Sequence, residues 1–136
     1  MKKLLCGFVL FLVSANGVVI GAQSTSKYAG VDNCKMCHPD IYNDWAKSRH
    51  AESFDLLVNV GKEKSAECLP CHSTGYGKGG FIDEATTPLL KGTTCESCHG
   101  PGAAHMGDKT KIQRVPSGST CAACHQKTNI HMIPPK

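Results

Sequence analysis

The architecture of this chain follows from a five-residue pattern that first occurs as Cys34-Lys35-Met36-Cys37-His38. The pattern Cys-x-x-Cys-His recurs three times, as Cys68-Leu69-Pro70-Cys71-His72, Cys95-Glu96-Ser97-Cys98-His99 and Cys121-Ala122-Ala123-Cys124-His125. Two thiols one helical turn apart, followed directly by a histidine, form the attachment signature of c-type haem. The thiols add to the two vinyl groups of the porphyrin, and the histidine ligates the iron. The four motifs therefore predict four covalently bound haem c groups.

Other cysteine chemistry fits the pattern less well. Cys-x-x-Cys pairs also occur in zinc sites, thioredoxin-like centres and disulfides, but none of these requires a histidine after every second cysteine. The chain holds only 7 histidines in 136 residues, so four such successions by chance are very rare. A zinc-ribbon binding module remains the alternative without haem, and it would give a colourless protein that retains zinc.

The N-terminus has the pattern of a secretory signal peptide. Lys2 and Lys3 precede an apolar run from Leu4 to Val13, which is too short to span a bilayer. Cleavage after Ala22 would leave a mature domain of residues 23–136, with residues 1–22 as the signal. An uncleaved anchor is the alternative, because the apolar stretch resumes before Ala22. Export to the periplasm or the extracellular space agrees with haem attachment, which in bacteria takes place outside the cytoplasmic membrane.

The length of the mature chain limits how the haems can be enclosed. Residues 23–136 give fewer than thirty residues for each haem, too few to build a separate apolar core around each one. We therefore expect one compact multihaem domain in which the haems form the core. Its fold class should be mainly α, with short helices and much irregular coil. The longest helix is expected from Pro39 to about Phe54, because proline is favoured in the first helical turn.

The charge of the chain gives little evidence about partners. Removal of residues 1–22 leaves 13 basic and 11 acidic residues, and each haem adds two propionates. The lysines are scattered and no aromatic platform accompanies them, so nucleic-acid binding is not expected. Redox proteins are the expected partners, and no membrane span is expected in the mature chain.

The histidines outnumber the motifs by three. His38, His72, His99 and His125 are the expected proximal ligands, which leaves His50, His105 and His131 as candidate distal ligands. Four irons and three spare histidines leave one iron that is open or is bound by another residue. Each spare histidine has the alternative of being an ordinary surface residue.

Sequence distance restricts which iron each spare histidine can reach. His50 lies twelve residues beyond His38, about 18 Å along a continuous helix, so it should serve a haem other than the first. His105 follows His99 by six residues with a Gly-Pro-Gly turn between them, so it too should reach another haem. His131 likewise follows His125 by only six residues, so it is poorly placed to reach the opposite face of the fourth haem.

Two blocks of the chain resemble the cytochrome c-554 family of tetrahaem cytochromes. The first runs from Tyr28 through the first motif and Pro39 to the segment Trp45 to His50, and the second is Cys95 to Gly102 followed by His105. The resemblance implies a periplasmic electron carrier with three bis-histidine irons and one five-coordinate iron. It also implies that His105 ligates the first haem, His50 the third and His131 the fourth, and that the haem on His72 is open. This chain departs from the family by being shorter after the fourth motif.

These observations favour a function in electron transfer between redox partners through closely packed haems, and they favour a carrier over an enzyme. The enzymatic alternative is reduction of a small molecule such as nitric oxide at a five-coordinate haem. The sequence shows no convincing acid or base near the His72 motif to support it. A third hypothesis is a subunit of an extracellular electron-conducting assembly, in which self-association would place His131 on a haem of a neighbouring subunit.

Overall fold

The computed structural model describes residues 26–126, which contain six short α-helices joined by coil and two 3₁₀ turns. The helices are α1 (Val31–Cys37), α2 (Pro39–Ala46), α3 (Ser53–Asn59), α4 (Leu69–His72), α5 (Cys95–His99) and α6 (Gly118–Ala122). The 3₁₀ turns are Pro88–Leu90 and Lys109–Lys111. In this range, extended pairing is limited to one antiparallel bridge between Ser73 and Lys91. The predicted mainly α class with much irregular coil is confirmed.

Each predicted attachment motif lies on or at the end of a short helix. Both cysteines of the first motif lie in α1, and the third motif coincides with α5. The second motif begins one residue before α4, and the fourth begins inside α6. A helical turn places residues i and i+3 on the same face, so the two thiols of each motif point in a common direction.

The helix predicted from Pro39 to about Phe54 is wrong in its extent. Helix α2 begins at Pro39 as expected but ends at Ala46, and α3 begins separately at Ser53. The last turn of α2 tightens, since the Lys47 N–H donates to Asp44 O at 3.3 Å. Contact with residues outside the helix replaces further helical turns, because the Trp45 indole N–H donates to Thr93 O at 2.9 Å. The segment between α2 and α3 is thereby fixed against the entry to α5.

The apolar core of the described residues is small. Five buried side chains form one cluster between α3, α4 and the 81–90 segment: Phe54, Leu57, Leu69, Phe81 and Leu90. The rings of Phe54 and Phe81 are 5.3 Å apart at an angle of 60°. Nine large apolar side chains are exposed, among them Val115 at 80% and Met36 at 68%. Residues 26–126 thus leave more large apolar side chains in contact with water than they bury.

A buried hydroxyl network links the second motif to the third. The hydroxyl of Thr74 donates to Gly92 O at 2.8 Å and lies 2.9 Å from the hydroxyls of both Thr94 and Ser97. Thr74 follows α4 by two residues, and Thr94 immediately precedes α5. Because Thr74 and Thr94 are almost fully buried, these hydrogen bonds form out of water and fix the two motif helices relative to each other.

No helix within residues 26–126 is long and apolar enough to cross a membrane. The predicted signal segment, residues 1–22, lies outside the described residues.

Candidate haem-attachment sites

The eight cysteines of the four motifs are all free thiols, either half-buried or exposed. No disulfide occurs within residues 26–126, so every predicted attachment sulfur is available for a thioether bond. Over the same range, the structure contains no group of three or more histidine, cysteine or acidic side chains that could hold a metal ion. A zinc ribbon brings four such ligands together.

Three histidines are oriented in the way that metal-binding imidazoles require. Nδ1 of His72 lies 2.7 Å from Ser53 O, and Nδ1 of His99 lies 2.7 Å from Gln113 O. Nδ1 of His105 lies 2.8 Å from the carbonyl oxygen of Asp108. A carbonyl can only accept, so each Nδ1 carries the proton and each Nε2 presents its lone pair. This second hydrogen bond fixes the tautomer and the ring orientation of a metal ligand.

The first pair of facing rings is formed by His38 and His105. Their centroids are 6.5 Å apart and their planes are within 8° of parallel. Two imidazoles that bind one metal ion from opposite sides, with metal–nitrogen bonds of about 2 Å, have centroids about 6 Å apart. The separation therefore fits an iron between the two rings. The resemblance implies the same arrangement for His105, whose role as a ligand stays a prediction.

The second pair is formed by His50 and His125. Their centroids are 6.0 Å apart and their planes meet at 60°. The resemblance implies that His50 ligates the third haem, on His99, and this assignment stays a prediction. The backbone of His50 also contacts the entry to the third motif, because its carbonyl accepts from Thr93 N at 3.1 Å.

His131 and the methionines are the other side chains that can serve as a sixth ligand of a haem iron. His131 lies outside the described residues, as does Met132. Met36 and Met106 are both 68% exposed. Neither methionine is buried near a motif histidine in a way that marks it as a sixth ligand.

The free thiols of different motifs lie close enough to perturb one another. Interaction with Cys34 lowers the pKa of the Cys95 thiol to about 7, and the same interaction raises the pKa of Cys34 well above its usual value. Burial and then interaction with Cys71 raise the pKa of Cys124 to about 12. The first motif therefore lies beside the third, and the second beside the fourth. Once a sulfur forms a thioether with haem, it no longer titrates.

One buried carboxylate joins the first and third motifs. Glu96, the second residue of the third motif, is only 3% exposed. It accepts backbone hydrogen bonds from Ala29 N at 2.8 Å, Gly30 N at 2.8 Å and Gly102 N at 2.6 Å. Residues 29 and 30 lead directly into α1, so this side chain holds the start of the first motif against α5.

Sequence reasoning assigned no role to Glu96 or to the carbonyl groups of Ser53, Gln113 and Asp108. An acidic residue inside a Cys-x-x-Cys pair, with a glycine-rich turn after it, is a signal for Glu96 that the sequence contained. Backbone carbonyls carry no residue-type signal, because every residue has one. Those partners follow only from the path of the folded chain.

The chain is similar to known cytochromes. The profile of the family described as cytochrome c554 and c-prime matches residues 33–100. Cytochrome c-554 of Nitrosomonas europaea is 34% identical over 125 residues, an alignment that covers 78% of this chain and 52% of that protein. The chain thus spans about half the length of this curated relative. No solved structure matches the chain. The matched region contains the first three motifs, and the chain belongs to the cytochrome c-554 family, whose members are c-type cytochromes that bind haem covalently and transport electrons.

Proposed function

We propose that this protein is an exported tetrahaem cytochrome that passes electrons between two redox partner proteins through closely packed haems. The paired rings of His38 and His105 provide the strongest support, because parallel imidazoles 6.5 Å apart match two axial ligands of one iron. The small apolar core also supports the proposal. Only five apolar side chains form the buried cluster and nine large ones are exposed, so bound haems would provide the apolar surface that covers them.

The residues that hold each haem follow from the motifs. Thioether bonds form at Cys34 and Cys37, Cys68 and Cys71, Cys95 and Cys98, and Cys121 and Cys124. The proximal ligands are His38, His72, His99 and His125, and the distal candidates are His50, His105 and His131. When bound, haem iron accepts and releases single electrons by cycling between its ferric and ferrous forms.

Groups of the polypeptide would adjust the reduction potentials of the bound haems. The carbonyl groups that accept from Nδ1 of His72, His99 and His105 fix the orientation of these rings, and through such ligands a polypeptide would tune the potential of a bound haem. The adjacency of the first and third motifs, and of the second and fourth, keeps cofactors close to one another. A small domain with partly exposed cofactors suits brief contacts with a donor and an acceptor.

A coulometric titration of the purified holoprotein tests this proposal. We expect about four electrons per chain, taken up reversibly over a range of potentials, with no substrate required. If the protein takes up fewer than four electrons and its measured haem content is equally low, the proposed number of four haems is wrong. A colourless protein with bound zinc would contradict the proposal.

Residues 1–22 are proposed to be a cleaved signal peptide and residues 23–136 the tetrahaem domain in the periplasm. Two observations support this proposal. The N-terminal sequence has the pattern of a signal peptide, and haem attachment in bacteria requires that the chain is first exported. N-terminal sequencing of the periplasmic fraction tests it, with Gln23 as the expected first residue. A chain that retains Met1 and sediments with membranes would indicate an uncleaved anchor.

A second candidate function is reduction of a small molecule at the iron of the second motif. Within residues 26–126, no second imidazole faces His72, whereas His38 and His125 each face one. A cavity beside α4 is lined by Leu69 and Glu63, and Glu63 has a buried carboxylate oxygen with no hydrogen-bond partner. Such a group could supply a proton, which sequence reasoning did not find near this motif. Nitric oxide consumption by the reduced protein, lost in Glu63→Gln, would support this function, and absence of gas binding would exclude it.

A further inference from the structure

We propose that the buried carboxylate of Glu96 lowers the reduction potentials of the haems on the first and third motifs and leaves those of the haems on the second and fourth nearly unchanged. This role rests on the proposed tetrahaem function. Because Glu96 is neither an attachment residue nor an iron ligand, its effect is testable separately from the number of haems.

The charge of Glu96 lies inside the protein. The side chain is 3% exposed, and within residues 26–126 it is the one charged side chain that is buried. Water and salt screen charges at the surface, whereas a charge in the interior acts through a medium of much lower permittivity. The negative charge of Glu96 therefore acts on neighbouring groups with little screening.

The hydrogen bonds of Glu96 hold this charge without cancelling it. Oε1 accepts from Ala29 N at 2.8 Å and from Gly102 N at 2.6 Å, and Oε2 accepts from Gly30 N at 2.8 Å. An ionised carboxylate only accepts, which matches a site built from N–H donors. All three donors are neutral backbone groups, and no cationic side chain of residues 26–126 forms an ion pair with Glu96.

The position of Glu96 brings its charge close to two motifs. It directly follows Cys95 of the third motif, and its oxygens contact the residues that lead into α1, which contains Cys34 of the first motif. The hydrogen bond with Cys95, burial and then the charges of Cys95 and Glu96 raise the pKa of the free Cys34 thiol. The charge thus acts on a position where the first haem is attached as well as on the motif of the third.

The second and fourth motifs contain no such charge. At the position of Glu96 they have Leu69 and Ala122, and their other central residue is also uncharged. The first motif has Lys35 as a central residue, but that side chain is exposed to water. The four motifs therefore differ in their electrostatic environment, and Glu96 distinguishes the first and third from the others.

The sign of the effect follows from the charges of the two oxidation states. Ferric haem carries one more positive charge than ferrous haem, so a nearby negative charge stabilises the ferric form and lowers the reduction potential. The haems on the first and third motifs should therefore be harder to reduce than they would be beside a neutral residue.

The test is a spectroelectrochemical titration of the holoprotein and of Glu96→Gln, which has nearly the same shape and no charge. We expect two of the four potentials to rise in the variant. At a fixed potential, the ferrous-to-ferric ratio of these two haems should increase about tenfold, which corresponds to about 59 mV for a one-electron couple. In a three-haem protein made with Cys121→Ala and Cys124→Ala, two potentials should still rise, because the fourth haem is not one of them.

A conservative variant and a matched control separate charge from structure. Glu96→Asp keeps the charge on a shorter side chain and weakens the same hydrogen bonds, so its potentials should stay close to those of the wild type. Glu67→Gln removes an exposed carboxylate directly before Cys68 and should shift no potential. The rise in Glu96→Gln should persist in about 1 M salt, where charges at the surface are screened within about 3 Å.

Three outcomes would overturn the proposal. Unchanged potentials in Glu96→Gln with four haems bound would show that the charge has no influence. Lower potentials would indicate that the variant only loosens the fold, because water at the haems stabilises the ferric form. An equal shift in Glu96→Asp would assign the effect to the hydrogen bonds rather than to the charge. The haem content of the wild-type protein, measured alongside, tests the proposed function separately.

Infrared difference spectroscopy gives an answer if Glu96→Gln binds fewer than four haems. The chain has four other glutamates, and changing each of them to glutamine leaves Glu96 as the only one: Glu52, Glu63, Glu67 and Glu84. With carbon-13-labelled glutamate in this protein, reduction of the haems should shift a band of an ionised carboxylate. A band of a protonated carboxyl group, or no shift on reduction, would contradict the proposed role of Glu96.

Discussion

At the scale of single residues, Glu96 shows that a haem-attachment motif can also contain a residue that stabilises the fold. The two central positions of Cys-x-x-Cys-His are free of any bond to haem, and here one of them bears a buried carboxylate. A buried charge is tolerated only when hydrogen bonds replace the lost water. The N–H groups of Ala29, Gly30 and Gly102 do this, and as a result Glu96 joins the first motif to the third.

We therefore expect Glu96→Gln to destabilise the holoprotein. The new amide keeps the size of the side chain and one accepting oxygen, but its NH₂ group replaces the other oxygen and would face a backbone N–H donor from which it cannot accept. Loss of charged hydrogen bonds of this kind costs about 3 kcal/mol in the free energy of unfolding. Guanidinium chloride unfolding, followed by far-ultraviolet circular dichroism, measures it.

The matched control for this prediction is Glu84→Gln. Glu84 is exposed and pairs with Lys91 at 3.0 Å, an interaction worth less than about 1 kcal/mol. Equal losses of stability in the two variants would show that Glu96 is not a special connection between the motifs.

At the scale of elements, the segment from Thr74 to Phe81 connects α4 to the rest of the core. It closes on itself, since Phe81 N donates to Thr74 O at 2.8 Å and Gly80 N donates to Gly75 O at 3.0 Å. Gly75 has a φ of +71°, and a Cβ there would overlap the ring of Tyr28. Glycine at this position allows both the left-handed backbone and the close approach of the ring.

Gly75→Ala should therefore cost more stability than Gly79→Ala. Both positions have positive φ, but a Cβ at Gly79 meets no atom within 4 Å. Backbone strain alone costs about 1 kcal/mol at Gly79, whereas strain and overlap with Tyr28 together should cost about 3 kcal/mol at Gly75. Thermal or denaturant unfolding of the two variants gives the comparison, and a larger loss at Gly79 would contradict this account.

Most of the helix positions could be predicted from the sequence, and each wrong prediction has a physical cause. The motifs predicted short helices because two thiols must lie on one turn, and Pro39 marked the start of α2. The end of α2 was placed too late, because the contact between Trp45 and Thr93 depends on a partner 48 residues away. The facing of His50 towards His125 was equally invisible, since it is set by the path of the intervening chain rather than by local pattern.

At the scale of the whole molecule, the described polypeptide buries too little apolar surface to be stable alone. Its buried apolar side chains are Val31 and one cluster of five, while nine large apolar side chains are exposed. Burial of each such side chain contributes about 2 kcal/mol, so a cluster of this size cannot offset the conformational entropy of a whole domain. Haem would then be required for folding as well as for electron transfer.

Replacement of all eight motif cysteines by serine should consequently leave an unfolded chain. We expect far-ultraviolet circular dichroism without helical minima, together with rapid amide hydrogen exchange throughout residues 26–126. The control is Cys121→Ser with Cys124→Ser, which removes only the fourth pair of cysteines. This variant should retain α1 to α5, because α1 packs against α2 and α5, and α3 packs against α4, without extensive contact with α6. A folded, helical protein without any haem would contradict this view.

Intact mass spectrometry of the denatured holoprotein tests most directly whether each of the four motifs carries a covalently bound haem. Covalent haem remains on the chain under denaturing conditions, so we expect the mass of the mature polypeptide plus four haem groups. The mass of the chain without haem, or with fewer than four groups in a fully loaded preparation, would contradict it.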